Sequence, residues 1–231
     1  MTSHERHQSA EQVLAKHVRV MGADLGRVYN ALSTEFSRFY IKWNLHRQLY
    51  GRSTARIDVL NKAAGHFFGV LRRILIDDVL LHLGRMTDPE RIAGRDNLTI
   101  RRLPALVPEE IKPQMEELLA AALTACEPIR PWRNRRIAHT DLGFALFNQL
   151  PLGVTLMQLQ GALESLQALL NRLEIHYWQA PTMYDQIVTP PGDADALVYY
   201  LWTGLSVEEQ RKQRLLSGQP LPEDLKHEEP P

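Results

Sequence analysis

The chain has 231 residues and an ordinary apolar content of 44%, so it is long enough for one domain or for one domain with an appendage. Its 27 basic and 27 acidic side chains give a net charge of zero, so the chain as a whole does not attract nucleic acid electrostatically. Any binding of nucleic acid must depend on a local basic patch. A single cysteine, Cys126, excludes an internal disulfide framework and a cysteine zinc site. Residues 1–12 lack the apolar core of a secretory signal and no apolar run approaches a membrane span, so we expect a cytoplasmic protein.

The first third of the chain predicts two long helices, because apolar residues recur there at three- and four-residue steps. The apolar positions of the first helix run from 14 to 43, and nothing in the sequence breaks this helix before Gly51. The second covers about 56–86 and stops at the sequence Thr-Asp-Pro, residues 87–89. Apolar residues lie on several sides of the second helix, so we expect it to be the most buried element.

The middle of the chain predicts a polar loop, a short helix and then a third amphipathic helix. The loop covers 89–97, and residues 98–103 have the composition of a short helix. The third helix covers 111–126 and ends at Pro128. Pro131 is well placed as the first residue of a fourth helix, where a missing backbone N–H costs nothing.

The last predicted helix of the main domain is the most regular. Leucines in 156–177 follow a heptad spacing, and Thr155 is a suitable N-cap. We therefore predict an all-α, up-and-down bundle of four to five main helices over 9–180. Proline and glycine then mark a linker and an accessory helix over 181–217, which form a C-terminal helical appendage. Residues 218–231 are polar and proline-rich, and are predicted to be a disordered tail.

The most distinctive chemistry lies where the fourth helix should begin, in the sequence PWRNRRIAHTD at 131–141. Arginine binds phosphate through a fixed fork of donors, and histidine transfers protons near neutral pH. Arginines in the first turn of a helix are electrostatically unfavourable unless an anion is present. The arginines concerned are Arg130, Arg133, Arg135 and Arg136. Their negative partner is either a phosphate or a carboxylate from a neighbouring helix, such as Glu116, Glu117 or Glu127.

A second polar group interrupts the second helix, where Asp78, His82 and Arg85 stand at i, i+4 and i+7. Two interpretations remain open: these residues support the arginine-rich segment, or they form a satisfied structural network inside the bundle. Asp77 adds a carboxylate, but the paired Glu-x-x-His motifs of a di-iron bundle are absent from the sequence. We therefore expect no metal.

The end of the first helix carries a group of aromatic and basic residues. They are Trp43, His46, Arg47 and Tyr50. Such a group is either a platform on which RNA bases stack or an aromatic cap on the core, and the cap is the favoured interpretation.

Two stretches, together with the segment that follows one of them, resemble the HEPN superfamily. Arg133-Asn134 followed by His139 is similar to its signature. In that signature an arginine and a histidine are separated by four to six residues, the first of which is usually Asn, Asp or His. The sequence LLHLGRMTDP at 80–89 resembles the end of the long helix in the abortive-infection-associated, AbiU2-like branch. Residues 98–103 resemble the Leu-Thr-Ile-Arg-Arg-Leu type segment that follows it there. The order of helices also fits over about residues 10–180.

The resemblance implies a metal-independent ribonuclease in which two motif helices, one from each subunit, line a shared cleft. His139 would be the general base or acid for attack of a ribose 2′-OH on the adjacent phosphate. Arg133 would stabilise charge on the phosphate, and Asn134 would orient His139 or bind phosphate. Arg130, Arg135 and Arg136 would bind substrate. The supporting residues around the site would be Asp78, His82, Arg85 and Asp141.

The expected partners are RNA or a nucleotide, a second copy of the chain in a homodimer, and an antitoxin-like protein of a toxin or phage-defence system. No cofactor and no membrane partner is expected. A non-catalytic helical module that binds a nucleotide, RNA or protein through the same cleft is the alternative. The zero net charge favours this alternative or a nuclease with a narrow choice of RNA, whereas the intact Arg133, Asn134 and His139 favour the ribonuclease.

Overall fold

The computed structural model describes residues 8–132, 153–186 and 193–225, which are mostly helical. The helices are α1 (Ala10–Met21), α2 (Ala23–Tyr50), α3 (Thr54–Met86), α4 (Lys112–Cys126), α5 (Arg130–Trp132), α6 (Leu156–Trp178) and α7 (Ala194–Leu216). Two short strands, β1 (Arg91–Ile92) and β2 (Arg95–Asp96), pair antiparallel between α3 and α4. The predicted all-α helical bundle is confirmed.

The prediction of one uninterrupted helix over 14–43 is wrong, because the chain breaks between α1 and α2. Gly22 has φ +86° and ψ 166°, a backbone conformation that is essentially restricted to glycine. Four residues later, Gly26 packs directly against the backbone of α1. A Cβ atom at position 26 would lie 2.7 Å from backbone atoms of His17 and Val18. The apolar spacing continues across the break, so periodicity alone did not reveal it.

The prediction that the second long helix is the most buried element is also wrong. α3 begins and ends within two residues of the predicted bounds, with non-helical angles at Ala64. However, Phe67, Val70 and Ile74 are 59%, 43% and 58% exposed. These three side chains form one stripe on α3, beside the buried Phe68. The apolar residues of α3 are spread around the helix, and only part of that surface is covered.

The chain divides into two compact units. The first contains Met1–Lys42 and Ile76–Ile187, and the second contains Trp43–Leu75 and Val188–Pro231. Both α2 and α3 therefore contribute residues to each unit. The sequence instead predicts one domain over 9–180 followed by an appendage, and those domain boundaries stay a prediction.

In the first unit, α4 packs against α6, whose leucines form a continuous buried row. The predicted N-cap is present: the Thr155 hydroxyl accepts the Gln158 backbone N–H, and the Gln158 side chain accepts the Thr155 backbone N–H. This capping box and the heptad spacing explain why the sequence located α6 so closely. The aromatic side chains of α2 that are fully buried in this unit are Phe36, Phe39 and Tyr40.

The second unit has its own small apolar core. Its buried members are Leu49, Tyr50, Leu60, Phe68, Ala194 and Val198. The Tyr50 hydroxyl donates to the Phe68 carbonyl at 2.7 Å, which ties the end of α2 to α3. Near the C-terminus, Arg214 donates two hydrogen bonds to the buried carboxylate of Asp224 and lowers the pKa of that group to about 2. Residues 218–225 of the predicted tail thus include a 3-10 turn at Pro222–Leu225, whereas 226–231 lie outside the described residues.

Candidate functional site

The central motif residues lie outside the described residues, but the chain that leads to them is described. The residues outside are Arg133, Asn134, Arg135, Arg136, His139 and Asp141. α4 ends at Cys126, a 3-10 turn covers Glu127–Ile129, and α5 begins at Arg130. The side chain of Ile129 is buried, which fixes this turn to the core.

Arg130 connects this turn to the end of α3. Its Nη2 donates to the Thr87 carbonyl oxygen at 2.6 Å, and Arg101 Nε donates to the same oxygen at 2.9 Å. The sequence predicts Arg130 as a substrate-binding cation, and the structure shows part of its guanidinium engaged with this carbonyl. Arg133 follows three residues later, so the chain enters the motif from a point beside the end of α3.

Two buried threonines complete the termination of α3. The Thr87 hydroxyl donates to the Leu83 carbonyl at 2.8 Å, and the Thr99 hydroxyl donates to the Met86 carbonyl at 2.9 Å. Carbonyl groups at a helix end have no partner within the helix, so these donors satisfy them. The sequence identified the Thr-Asp-Pro stop but missed the roles of Thr99 and Arg101, which depend on contacts 13 and 14 residues apart.

Two of the three residues predicted on α3 come together. His82 Nδ1 lies 3.0 Å from the Asp78 carbonyl oxygen and 3.3 Å from Asp78 Oδ2, which also accepts a hydrogen bond from Lys42 Nζ at 2.8 Å. His82 Nε2 is 3.8 Å from Glu35 Oε2, and the ring of Phe39 stacks on the imidazole. These contacts form a structural network, which is one of the two interpretations that the sequence left open. The position of this network relative to the motif involves residues outside the described part of the chain.

Arg85 does not join Asp78 and His82. It is exposed, and it lines a surface pocket of about 670 Å³ between the end of α3 and the β1–β2 hairpin. The other residues of the pocket wall include Asp88, Ile92, Arg95, Asn97 and Leu98. The sequence did not single out the hairpin residues, because strands of two residues show no alternating pattern.

The aromatic group at the end of α2 is an internal cap and not an exposed platform. Trp43, His46 and Tyr50 are all buried, and the His46 ring stacks on Trp43 with 5.6 Å between ring centroids. Burial, with a smaller contribution from the positive charge of Arg72, lowers the pKa of His46 to about 4. Within this group, stacking on RNA bases is excluded for the buried rings.

A buried carboxylate that the sequence missed lies on α6. Glu174 accepts hydrogen bonds from the hydroxyls of Tyr29 at 2.6 Å and Tyr184 at 2.8 Å, and from the backbone N–H of Thr182. Burial, reinforced by the negative carboxylate, raises the pKa of both tyrosines. The available signal was position: Glu174 follows Leu170 by four residues, on the buried stripe of α6. Its role is to join α2, α6 and the segment after α6.

Within residues 8–132, 153–186 and 193–225, no three His, Cys, Asp or Glu side chains lie close enough together to hold a metal ion. Burial raises the pKa of the Cys126 thiol to about 12, so this cysteine is a poor nucleophile and a poor ligand. Over the same three ranges, no helix has the length and apolar character that crossing a bilayer requires.

The described part of the chain is mostly helical, and its sequence carries an Arg-Asn-x4-His segment directly after α5. The sequence profile of the HEPN_AbiU2 family, described as AbiU2, matches residues 22–197, and the chain belongs to this family. The match includes both stretches that carry the resemblance, 80–89 and 133–139. No curated protein and no solved structure matches the chain significantly.

Proposed function

We propose that the protein is a metal-independent endoribonuclease of a toxin or phage-defence system, with Arg133, Asn134 and His139 as its active site. The observation that carries this proposal is membership of the HEPN_AbiU2 family together with an intact Arg-Asn-x4-His segment inside the matched range. A fold alone does not decide an activity, so the proposal depends on what these side chains can do.

The chemistry requires only proton transfer and charge stabilisation. One histidine accepts the proton of a ribose 2′-OH as its oxygen bonds to the adjacent phosphorus. The bond from phosphorus to the 5′-oxygen breaks, and that oxygen receives a proton from a general acid. Arg133 stabilises the charge that builds on the phosphate oxygens, and Asn134 orients His139 or the phosphate. The products are a 2′,3′-cyclic phosphate and a 5′-hydroxyl.

A homodimer follows from the same chemistry. The reaction needs a base and an acid, and the motif of one chain contains one histidine, His139. A two-fold axis through the motif face would place two copies of this residue in one cleft. The other proposed partners are RNA, bound also by Arg135 and Arg136, and an antitoxin-like protein that restrains the activity in the cytoplasm.

The second candidate is a non-catalytic module that binds a nucleotide, RNA or protein through the same face. The zero net charge favours it, because a nuclease acting on many RNAs usually gains affinity from a basic surface.

The test is incubation of purified protein with total RNA in EDTA. His139→Ala and Arg133→Ala should each reduce cleavage at least a hundredfold, since a general acid–base group contributes roughly 10²–10⁴ and an electrostatic donor roughly 10²–10³ in rate. The matched controls are His66→Ala and Arg73→Ala, which remove exposed side chains of α3 and should leave cleavage unchanged. RNA that stays intact with micromolar wild-type protein would refute the nuclease and leave the binding module.

A further inference from the structure

Two arginines line the pocket between the end of α3 and the hairpin. Arg85 comes from the last turn of α3 and Arg95 from β2, and both side chains are exposed. Within the described ranges, neither guanidinium makes a hydrogen bond or an ion pair. By contrast, Arg101 and Arg130 both donate to the Thr87 carbonyl. Arg85 and Arg95 are therefore available to an external anion.

The end of a helix normally disfavours an anion, because its unpaired carbonyl groups carry partial negative charge. At the end of α3 those carbonyls already accept hydrogen bonds from Thr87, Thr99 and the two guanidiniums of Arg101 and Arg130. The same pocket also contains Asp88, which is buried and has interactions of its own. The negative end of the helix is thus compensated without Arg85.

The opposite wall of the pocket is held in place by the hairpin. Ala93 and Gly94 have positive φ angles of 48° and 80°, as a two-residue turn requires, and this turn pairs Ile92 with Arg95. Arg102 donates to the backbone carbonyls of Asn97 and Glu90 at 2.7 Å and 3.0 Å. These contacts fix the backbone that carries Arg95, which lowers the ordering cost of binding a ligand.

We propose that this pocket, the Arg85–Arg95 pocket, binds a backbone phosphate of a single-stranded RNA that also contacts the motif segment. Its volume is within the roughly 300–1,000 Å³ range of small-ligand sites, and guanidinium forks match phosphate oxygens in pairs. The pocket is also connected to the chain that leads to the motif. Its residue Asp88 follows Thr87, whose carbonyl oxygen accepts a hydrogen bond from Arg130, and Arg130 lies three residues before Arg133. The choice of RNA as the ligand rests on the proposed function.

The test measures binding separately from cleavage, in a His139→Ala background. Fluorescence anisotropy of a labelled 20-nucleotide single-stranded RNA is followed between 50 and 200 mM KCl. Arg85→Ala and Arg95→Ala should each weaken binding roughly five- to tenfold and reduce the salt slope by about 0.7, the value for one lost phosphate contact on a single strand. Arg73→Ala removes an exposed arginine of α3 that does not line the pocket, and it should leave affinity and slope unchanged. Arg85→Lys and Arg95→Lys keep the charge and should therefore preserve the salt slope, but they should recover only part of the affinity because lysine cannot form the paired fork.

The outcomes separate this proposal from the proposed function. RNA affinity unchanged by both alanine substitutions, or no RNA binding in the His139→Ala background, would overturn the pocket even if the wild type cleaves RNA. Pocket-dependent binding by a protein whose wild type cleaves nothing would support the pocket and refute the nuclease. Competition by ATP as effective as by unlabelled RNA would show a mononucleotide site and overturn the RNA subsite. Thermal unfolding of each variant shows whether a loss of binding reflects a loss of fold.

Discussion

Gly26 sets how closely α1 and α2 approach. Its missing side chain lets the backbone at His17 and Val18 lie where a Cβ atom would otherwise be, at 2.7 Å. The obstacle is backbone and not the end of a flexible side chain, so it cannot be relieved by a rotamer change. The contact therefore depends on glycine at this position.

We predict that Gly26→Ala destabilises the protein by about 1–3 kcal/mol, the usual cost of overpacking. Gly161→Ala in α6 is the matched control, because no atom lies within 4 Å of its added Cβ. There the helix should gain about 0.5–1 kcal/mol. Urea unfolding of both variants measures the two shifts. If both variants changed the free energy of unfolding by the same amount and in the same direction, the close approach of α1 would not be what requires glycine at position 26.

His46 is neutral in the folded protein at pH 7, because burial lowers its pKa to about 4. The unfolded chain, with an ordinary pKa of about 6.5, binds a proton first as the pH falls. The stabilising contribution of neutral His46 is therefore complete above about pH 6.5 and is lost progressively toward pH 4.

We expect this single group to remove about 2 kcal/mol of stability between pH 7.5 and pH 5. His46→Phe keeps an aromatic ring against Trp43 and should reduce the loss by that amount. The control His66→Ala changes an exposed histidine and should keep the wild-type pH dependence. Urea unfolding at the two pH values measures the loss of stability in each protein. A loss in His46→Phe equal to that in wild type would contradict the assignment of this pH dependence to His46.

At the scale of elements, the end of α3 lines the Arg85–Arg95 pocket and also accepts a hydrogen bond from Arg130, at the start of α5. Its last carbonyls are capped by groups from the segment after the hairpin and from the start of α5. A substitution that removes one of these hydrogen bonds should therefore lower the free energy of unfolding.

Thr99→Val tests the junction, since it keeps the shape of a fully buried side chain but removes the hydroxyl that donates to Met86. We predict a loss of about 1–2 kcal/mol, because a buried carbonyl loses its partner. Thr124→Val on the exposed side of α4 removes a similar hydroxyl-to-carbonyl bond and should cost less than about 0.5 kcal/mol. Thermal unfolding compares the pair. A cost at Thr99 no larger than at Thr124 would mean that this cap is not important.

The sequence predicted elements whose signals are local and missed contacts between distant residues. α6 was located because its heptad spacing and its Thr155 cap lie within the element itself. The break at Gly22 was missed because apolar spacing continues across it, and the hairpin was missed because its strands have two residues each. At the site, the sequence grouped Asp78, His82 and Arg85, whereas in the structure Asp78 and His82 contact each other and Arg85 lines a pocket that the sequence does not reveal.

At the scale of the whole molecule, a neutral chain must concentrate its positive charge locally if it is to bind RNA. The proposal places that charge in the motif segment and in the Arg85–Arg95 pocket. The proposed ribonuclease also requires a dimer, in which each chain supplies its own His139 to one cleft.

We predict a homodimer at tens of micromolar, with a molar mass by light scattering of twice the 26.5 kDa chain. Spin labels on His139→Cys should report a short distance between chains, because the two-fold axis of the proposed dimer would pass through the motif face. The buried Cys126 should not react with the label. A monomer, or a dimer with widely separated labels, would argue against the shared cleft.

The most direct measurement compares one RNA with a DNA copy of the same sequence, both in EDTA. The account predicts that wild-type protein cleaves the RNA and leaves a 2′,3′-cyclic phosphate or its hydrolysis product, because the 2′-OH is the nucleophile. The DNA copy, which lacks that hydroxyl, should stay intact, as should the RNA with His139→Ala. Cleavage of the DNA, or equal cleavage of the RNA by wild type and His139→Ala, would contradict the account.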